Sequence, residues 1–324
     1  MKVAIVGGDG FIGRHVQVAL DGRADFYVVD DMSSRKFSNE TDCRCEVSMC
    51  EHPRFLDMTK HTREERSLAF ESGTFDGKTD VVISMASKVS VEKSWDRPDE
   101  FITDNVAIAV NTVRAAIECA ARRVVLTSSM SIYGEGGYAA RETQDAKPLN
   151  PYGLGKLMQE KATAMLCEDA GIECVILRLW NTYGPGQKFG NPETGVVAIF
   201  CNAAMNGNPA RVYGDGSALR DFVYVTDVAR VIAEAAVGTS LKFGVRQKAK
   251  VLNVGSGTPT TVLAMANAAF EAFGVSPRVE HVASRIGDAY LSCPDTTALQ
   301  EAIPGVRFRD LRTGLMEYAR WVRQ

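Results

Sequence analysis

Five short runs rich in β-branched residues stand at 3–6, 26–30, 80–84, 124–127 and 173–179. Between them, segments at 13–20, 105–121 and 152–168 repeat their apolar positions at helical spacing. Alternation of this kind predicts an α/β fold, a doubly wound parallel sheet with helices on both faces. The stretch 33–77 is less regular, polar and cysteine-bearing, and predicts loops with one strand near 54–57 and one helix. Beyond Gly184 the elements shorten and are separated by glycine and proline clusters, YGPGQ, NGNP, YGDGS and VGSGTP, as expected of a smaller lobe against the carboxyl edge of the sheet. The expected division is 1–180 for the sheet domain, with some later segments returning to it, and 181–324 mainly for the second lobe. The helix-like run GLMEYARWV closes the chain.

Composition narrows the class. A chain of 324 residues, 45% of them hydrophobic, can bury a sizeable core as one large domain or two intimately packed ones. A formal net charge of -3 gives no broad basic field for nucleic acid, so any bound anion must be held in a local pocket. No apolar stretch reaches the roughly 18 residues of a membrane span, and Met1 runs straight into VAIV rather than into a signal peptide, so a cytoplasmic protein is expected. Eight cysteines could suggest disulfides or a metal. Cys43, Cys45 and Cys50, with His52 nearby, lack the paired knuckles of a zinc ribbon, and the others are scattered, so reduced thiols and no metal are expected.

The first strand leads directly into Gly7-Gly8-Asp9-Gly10-Phe11-Ile12-Gly13, which opens a helix. Gly7 permits the tight turn, Gly10 lets a pyrophosphate approach the backbone, and Gly13 lets helix and strand pack closely. The second strand ends in Asp30, placed to hydrogen-bond the adenosine ribose hydroxyls; a carboxylate there repels a 2′-phosphate and favours NAD over NADP. Phe11 and Ile12 in the turn, and Asp31, Met32 and Ser33 after Asp30, join the expected cofactor-binding set.

Tyr152 and Lys156 stand four residues apart after Pro151, a helix-start residue, and so share one helical face, about 6 Å apart along the axis. A tyrosine with its usual pKa near 10 needs a shift of roughly three units, about 4 kcal/mol, to exchange protons near neutrality. A neighbouring cation supplies roughly one to three units, and an oxidised nicotinamide adds a second contribution. Leu126-Thr127-Ser128-Ser129 ends a strand upstream, where doubly wound sheets bind ligands, so Ser129 would hydrogen-bond the reacting hydroxyl. His15, His52, His61 and His281 all fall outside these motifs, which removes support for a histidine triad.

Taken together, VGGDGFIG, LTSSMSIYGE, NPYGLGK, the run from Arg178 to Gly186 and YGDGSALRDFVYVTDVA resemble the extended short-chain dehydrogenase/reductases of the NAD-dependent epimerase/dehydratase family, particularly the UDP-glucose 4-epimerase-like nucleotide-sugar epimerases. The resemblance implies a Rossmann sheet, NAD as cofactor, and Ser129, Tyr152 and Lys156 as a catalytic trio. It puts Asp57 and Met58 at the adenine, Met85, Ala86, Ser87 and Thr127 along the dinucleotide, and Asn105 in a helix supporting the site. It places Asn181 and Val197 at the nucleotide or phosphate of a nucleotide diphosphate sugar, Ser90 near the sugar, and Tyr213 in the substrate-binding set. Arg220, and Arg285 with Asp288 in a late RIGD run, would meet the diphosphate, since a guanidinium fork matches phosphate oxygens; the alternative for each arginine is an ion pair with Asp221 or Asp288.

The implied reaction is epimerisation at C4 through a transient keto sugar. Family dehydratases carry an Asp-Glu pair directly after the serine or threonine, and decarboxylases keep a glutamate there; this chain has Met130 and Ser131, neither able to act as a carboxyl acid. Dehydration or another 4-keto modification is the alternative reading, and a silent NAD-binding sensor a more distant one. Lys88, and Ser84 in place of a frequent histidine, depart from the family pattern and suggest an unusual or acidic sugar with Lys88 as counter-ion. The segments 105–121 and 152–168 resemble the helices through which relatives form homodimers.

Overall fold

The computed structural model describes residues 1–30, 54–55, 79–187, 189, 195–244, 249–284 and 289–324. In chain order the first half holds β1 (Lys2–Val6), α1 (Phe11–Leu20), β2 (Asp25–Asp30), β3 (Arg54–Phe55), β4 (Val81–Ser84), α2 (Val91–Asp96), α3 (Pro98–Glu118), β5 (Arg123–Ser129), β6 (Gly137–Ala140), α4 (Pro151–Asp169) and β7 (Glu173–Leu179). The second half holds β8 (Asn181–Tyr183), α5 (Val196–Met205), β9 (Ala210–Tyr213), β10 (Leu219–Arg220), β11 (Phe222–Tyr224), α6 (Val225–Val237), β12 (Ala249–Val254), β13 (Thr260–Thr261), α7 (Val262–Ala272), β14 (Val279–Val282), β15 (Leu291–Pro294), α8 (Thr297–Ala302) and α9 (Leu311–Val322).

The main sheet is parallel throughout and runs β12-β7-β5-β4-β1-β2-β3. Its central strands read as unbroken apolar runs because both faces are covered. Val3, Ile5, Ile83, Val125 and Leu177 pack toward α1 and α6, while Ala4, Val6, Val82, Val124, Leu126 and Ile176 pack toward α3 and α4. The order of strand succession reverses between β1 and β4, the switch point at whose carboxyl ends such sheets open a crevice.

The helices start where local chemistry dictates. Pro98 opens α3 with Asp99 and Glu100 in its first turn, seven residues before the start that apolar spacing suggested. Asn150 caps α4, its side-chain oxygen accepting the Gly153 N–H at 2.8 Å. The second lobe has its own core of Tyr183, Phe200, Phe222, Phe270, Leu315 and Tyr318. Exchange between the lobes runs both ways. β12 and α6 return to the large sheet, and β6, from the first half of the chain, pairs with β15 in a small sheet of order β13-β10-β15-β6.

Of the strand expected near 54–57, Arg54–Phe55 is present beside β2. The rest of that strand, the accompanying helix, and Cys43, Cys45 and Cys50 lie outside the described residues. Cys119, Cys167, Cys174, Cys201 and Cys293 are buried free thiols. Among the described residues, no helix is long and apolar enough to cross a membrane.

Candidate active site

The glycine turn between β1 and α1 is built by close approach. Gly7 donates its N–H to Val29 O at 2.8 Å and adopts φ +79°, and a Cβ there would stand 2.5 Å from Ala86 N. A Cβ on Gly13 would meet Gly8 O at 2.4 Å, so this glycine serves helix packing. At Gly10 only Gly7 O, at 3.3 Å, would neighbour a Cβ, which leaves the α1 N-terminus open to a ligand. Asp30 is buried at the end of β2 and accepts the Asp9 N–H at 2.9 Å, which shapes the same turn. Phe11 and Ile12 form the first helical turn, with the Phe11 ring edge-on to His15 and Ile12 packed into the core. Met85 and Ala86 donate their N–H groups to Val6 O at 2.8 and 3.1 Å, which brings the loop after β4 against the glycine turn. Asp31, Met32, Ser33, Asp57 and Met58 lie outside the described residues.

Ser129 ends β5, and its hydroxyl lies against Tyr152, with which it hydrogen-bonds. Ser129 Oγ also accepts the Ser131 N–H at 3.2 Å. Lys156, 2% exposed, donates to Thr127 O at 2.8 Å, to Ser87 Oγ at 3.3 Å and to Gln159 Oε1. Ser87 Oγ in turn donates to Asn105 Oδ1 at 3.0 Å, and Asn105, fully buried, also accepts the Lys88 N–H at 2.8 Å. Asn105 therefore holds the loop after β4. The structure brings Ser87, Asn105, Thr127, Ser129, Tyr152 and Lys156 to the carboxyl ends of β4 and β5.

The glycines of YGLGK have a packing role that spacing did not disclose. A Cβ on Gly153 would meet Ser131 O at 2.6 Å, and one on Gly155 would meet Phe101 O at 2.3 Å. Without side chains there, the first turn of α4 seats against the Ser129 loop and α3. The helix is then fastened to β7 by Arg178, whose Nε and Nη2 reach the two Glu160 oxygens at 3.0 and 2.8 Å. Arg178 also donates to Tyr133 Oη at 2.7 Å, and Tyr133 to Asn253 Oδ1 on β12 at 2.7 Å.

Burial dominates the electrostatics of this pair in the protein alone. Burial raises the Tyr152 phenol, opposed by the bond to Ser129. Burial also brings Lys156 down to about 7, opposed by Glu160. Desolvation thus penalises the charged form of each group in the protein alone.

Other expected substrate contacts are more dispersed. Arg220 is buried and donates to Leu219 O at 2.9 Å and Tyr290 O at 3.3 Å. Asp221 turns away from it and accepts from Ser256 N and Oγ, both at 2.9 Å, and from Thr258 N at 3.1 Å. Asn181 Nδ2 is tied to Asp221 O at 2.9 Å. The Val197 side chain faces the second core, so only its backbone, in the first turn of α5, is left for a ligand. Tyr213 is partly exposed at the end of β9, and Ser90 spends its hydroxyl capping α2 through Lys93 N at 3.1 Å. Lys88 Nζ stands 3.8 Å from Asp104, so a carboxylate already faces it. Arg285 and Asp288 lie outside the described residues. The segment after them is held by Glu135, whose carboxylate accepts the Tyr290 N–H at 2.9 Å.

Residues 3–255 match the NAD dependent epimerase/dehydratase family. The chain belongs to this family. It is an NAD-dependent enzyme with a Rossmann-type sheet, and the glycine turn, the open α1 N-terminus and Asp30 fit the adenosine half of that cofactor. A UDP-glucose 4-epimerase of Mycolicibacterium smegmatis is 31% identical over 94% of this chain and 92% of its own length. The UDP-glucose 4-epimerase of Thermotoga maritima, solved with UDP-glucose, superposes with TM-score 0.84 at 27% identity, covering 100% of this chain and 99% of that one. The Thermus thermophilus UDP-glucose 4-epimerase in complex with NAD gives TM-score 0.82 at 27% identity over the same shares.

Proposed function

We propose that this protein is a nucleotide-sugar 4-epimerase that works through a transient 4-keto sugar. The observation that carries the reading is the meeting of Ser129, Tyr152 and Lys156 at the ends of β4 and β5, beside the glycine turn, with no carboxyl group at Met130 or Ser131. NAD, when bound, would supply the hydride acceptor and donor for the sugar carbon. Ser129 orients the sugar hydroxyl and Tyr152 takes and returns its proton. Lys156 supplies positive charge to the phenol, and Met85, Ala86, Ser87, Thr127 and Asn105 are the residues that would hold the dinucleotide. Arg220, with Arg285 and Asp288, is assigned to the diphosphate, and Asn181, Val197, Tyr213 and Ser90 to the rest of the substrate. Asp30 to Ser33, Asp57 and Met58 are assigned to the adenosine end.

UDP-glucose, the substrate named for the relatives above, is the one to test first. Incubation with NAD, followed by proton NMR of the sugar, should show conversion to the C4 epimer. Tyr152→Phe should reduce the rate at least about a hundredfold, as for loss of a general base. Tight NAD binding without interconversion of any nucleotide sugar would overturn the reading in favour of a sensor. We further infer a cytoplasmic homodimer joined through α3 and α4, whose outer surface carries Ile117, Leu154, Met158 and Met165 at 39–66% exposure.

A further inference from the structure

We propose that Gln159 is a positioning residue that holds the Lys156 ammonium in its charged form and aims it at the cofactor side of the site. The inference rests on the 4-epimerase reading for its consequence, but not for its physical basis. Gln159 is fully buried, one helical turn past Lys156 on the inward face of α4. Its Oε1 accepts from Lys156 Nζ, while its Nε2 has no acceptor among the described residues. Burying an amide with half its capacity unmet is unfavourable for folding, so stability does not account for the residue. Its useful part is the carbonyl oxygen.

An ammonium has three donors. Two are held by acceptors of the sheet and helix, Thr127 O and Gln159 Oε1, and the third makes the longer 3.3 Å bond to Ser87 Oγ on the loop beside the glycine turn. That third donor is the one a cofactor hydroxyl can capture, and Gln159 keeps the other two from competing for it. Burial works against the charge, bringing Lys156 to about 7. Among the charged and titratable groups around it, Glu160 on its own helix is paired with Arg178 of β7, Asp104 of α3 with Lys88, and Tyr152 is neutral in the protein alone. β5 and the loop after β4 contribute the uncharged Thr127, Ser129 and Ser87. Glu160, although paired with Arg178, still favours the ammonium through space, and the Gln159 carbonyl adds a direct hydrogen bond to it from the same helix.

The test follows the Cε signal of Lys156 by NMR in chain labelled at lysine, assigned by difference with Lys156→Met, across a pH titration without sugar. Replacing Gln159 by Leu should lower the Lys156 titration by about one to two pH units, the loss of one charge-assisted hydrogen bond. Gln159→Glu should raise it. With UDP-glucose, the alkaline limb of kcat should move down with the Gln159→Leu titration while KM for the sugar stays within about twofold, a uniform-binding term being untouched. A Lys156 titration that is the same in wild type, Gln159→Leu and Gln159→Glu overturns the proposal. A wild-type protein that converts no sugar overturns the 4-epimerase reading alone, because the titration is read without it. Gln159→Ala replaces the leucine variant if that chain does not fold, and the same lowered titration is expected.

Discussion

Lys156 carries a charge in a place that disfavours it, and this has a consequence for stability. Burial lowers its affinity for the proton to about 7, whereas the unfolded chain restores the ordinary lysine range near 10. Between those values the unfolded chain binds more protons than the folded one, so stability of the NAD-free protein should rise with pH through this window, by up to about 1 kcal/mol per unit. Below about 7 both states are protonated and the effect levels off. Lys156→Met should flatten the slope, which urea unfolding of both proteins from pH 6 to 10 measures; parallel curves would refute it. The Tyr-Lys pair was visible as a four-residue spacing, but its protonation was not. A spacing sets which groups meet, while burial and the partners Thr127, Ser87 and Gln159 set what charge they carry there.

At the level of elements, α4 is the helix whose reading changed most between sequence and structure. Its inward face carries Lys156, Gln159, Glu160 and Thr163, while Leu154, Met158 and Met165 are exposed. An apolar periodicity therefore marks the outside of this helix. The inward polar groups are tolerated because Glu160 is neutralised bidentately by Arg178 and Lys156 is held by three acceptors, which offsets much of the cost of burying charge. Glycine does the rest, since the helix can approach Phe101 O only where Cβ is missing. Gly155→Ala improves intrinsic helix propensity by about 1 kcal/mol, yet overpacks a contact worth about 1–3 kcal/mol of strain. Net destabilisation is expected, with a larger loss of turnover than of stability as Tyr152 and Lys156 shift together; urea midpoints and kcat would measure both. An alanine variant as active and stable as wild type would refute that contact.

For the whole molecule, the exposed stripe on α4 and Ile117 on α3 bear on assembly. Leu154, Met158 and Met165 recur at spacings of four and seven on one side of a helix that already packs against α3, so two copies can bury them as a four-helix contact. Sedimentation should give a dimer, and Met158→Asp with Met165→Glu should yield folded monomer with NAD still bound; an unchanged mass in that variant would rule out this surface. Five strands of the large sheet and the glycine turn with Asp30 were legible through alternation and turn geometry, and the Tyr152–Lys156 pair through helical spacing, while Ser129 was joined to that pair as the end of an upstream strand and by the family resemblance. The opposite is true of β12 returning beside β7, β6 joining β15, Asp221 turning to Ser256 instead of Arg220, and the polar interior of α4. Those partners lie tens to more than a hundred residues apart, and only the docking of the lobes and the resulting exclusion of water choose among them. The chain by itself determined the chemistry on offer; the tertiary structure decided which groups meet, how deeply they are buried, and which apolar side chains stay exposed, because only packing brings distant residues together and excludes water from them.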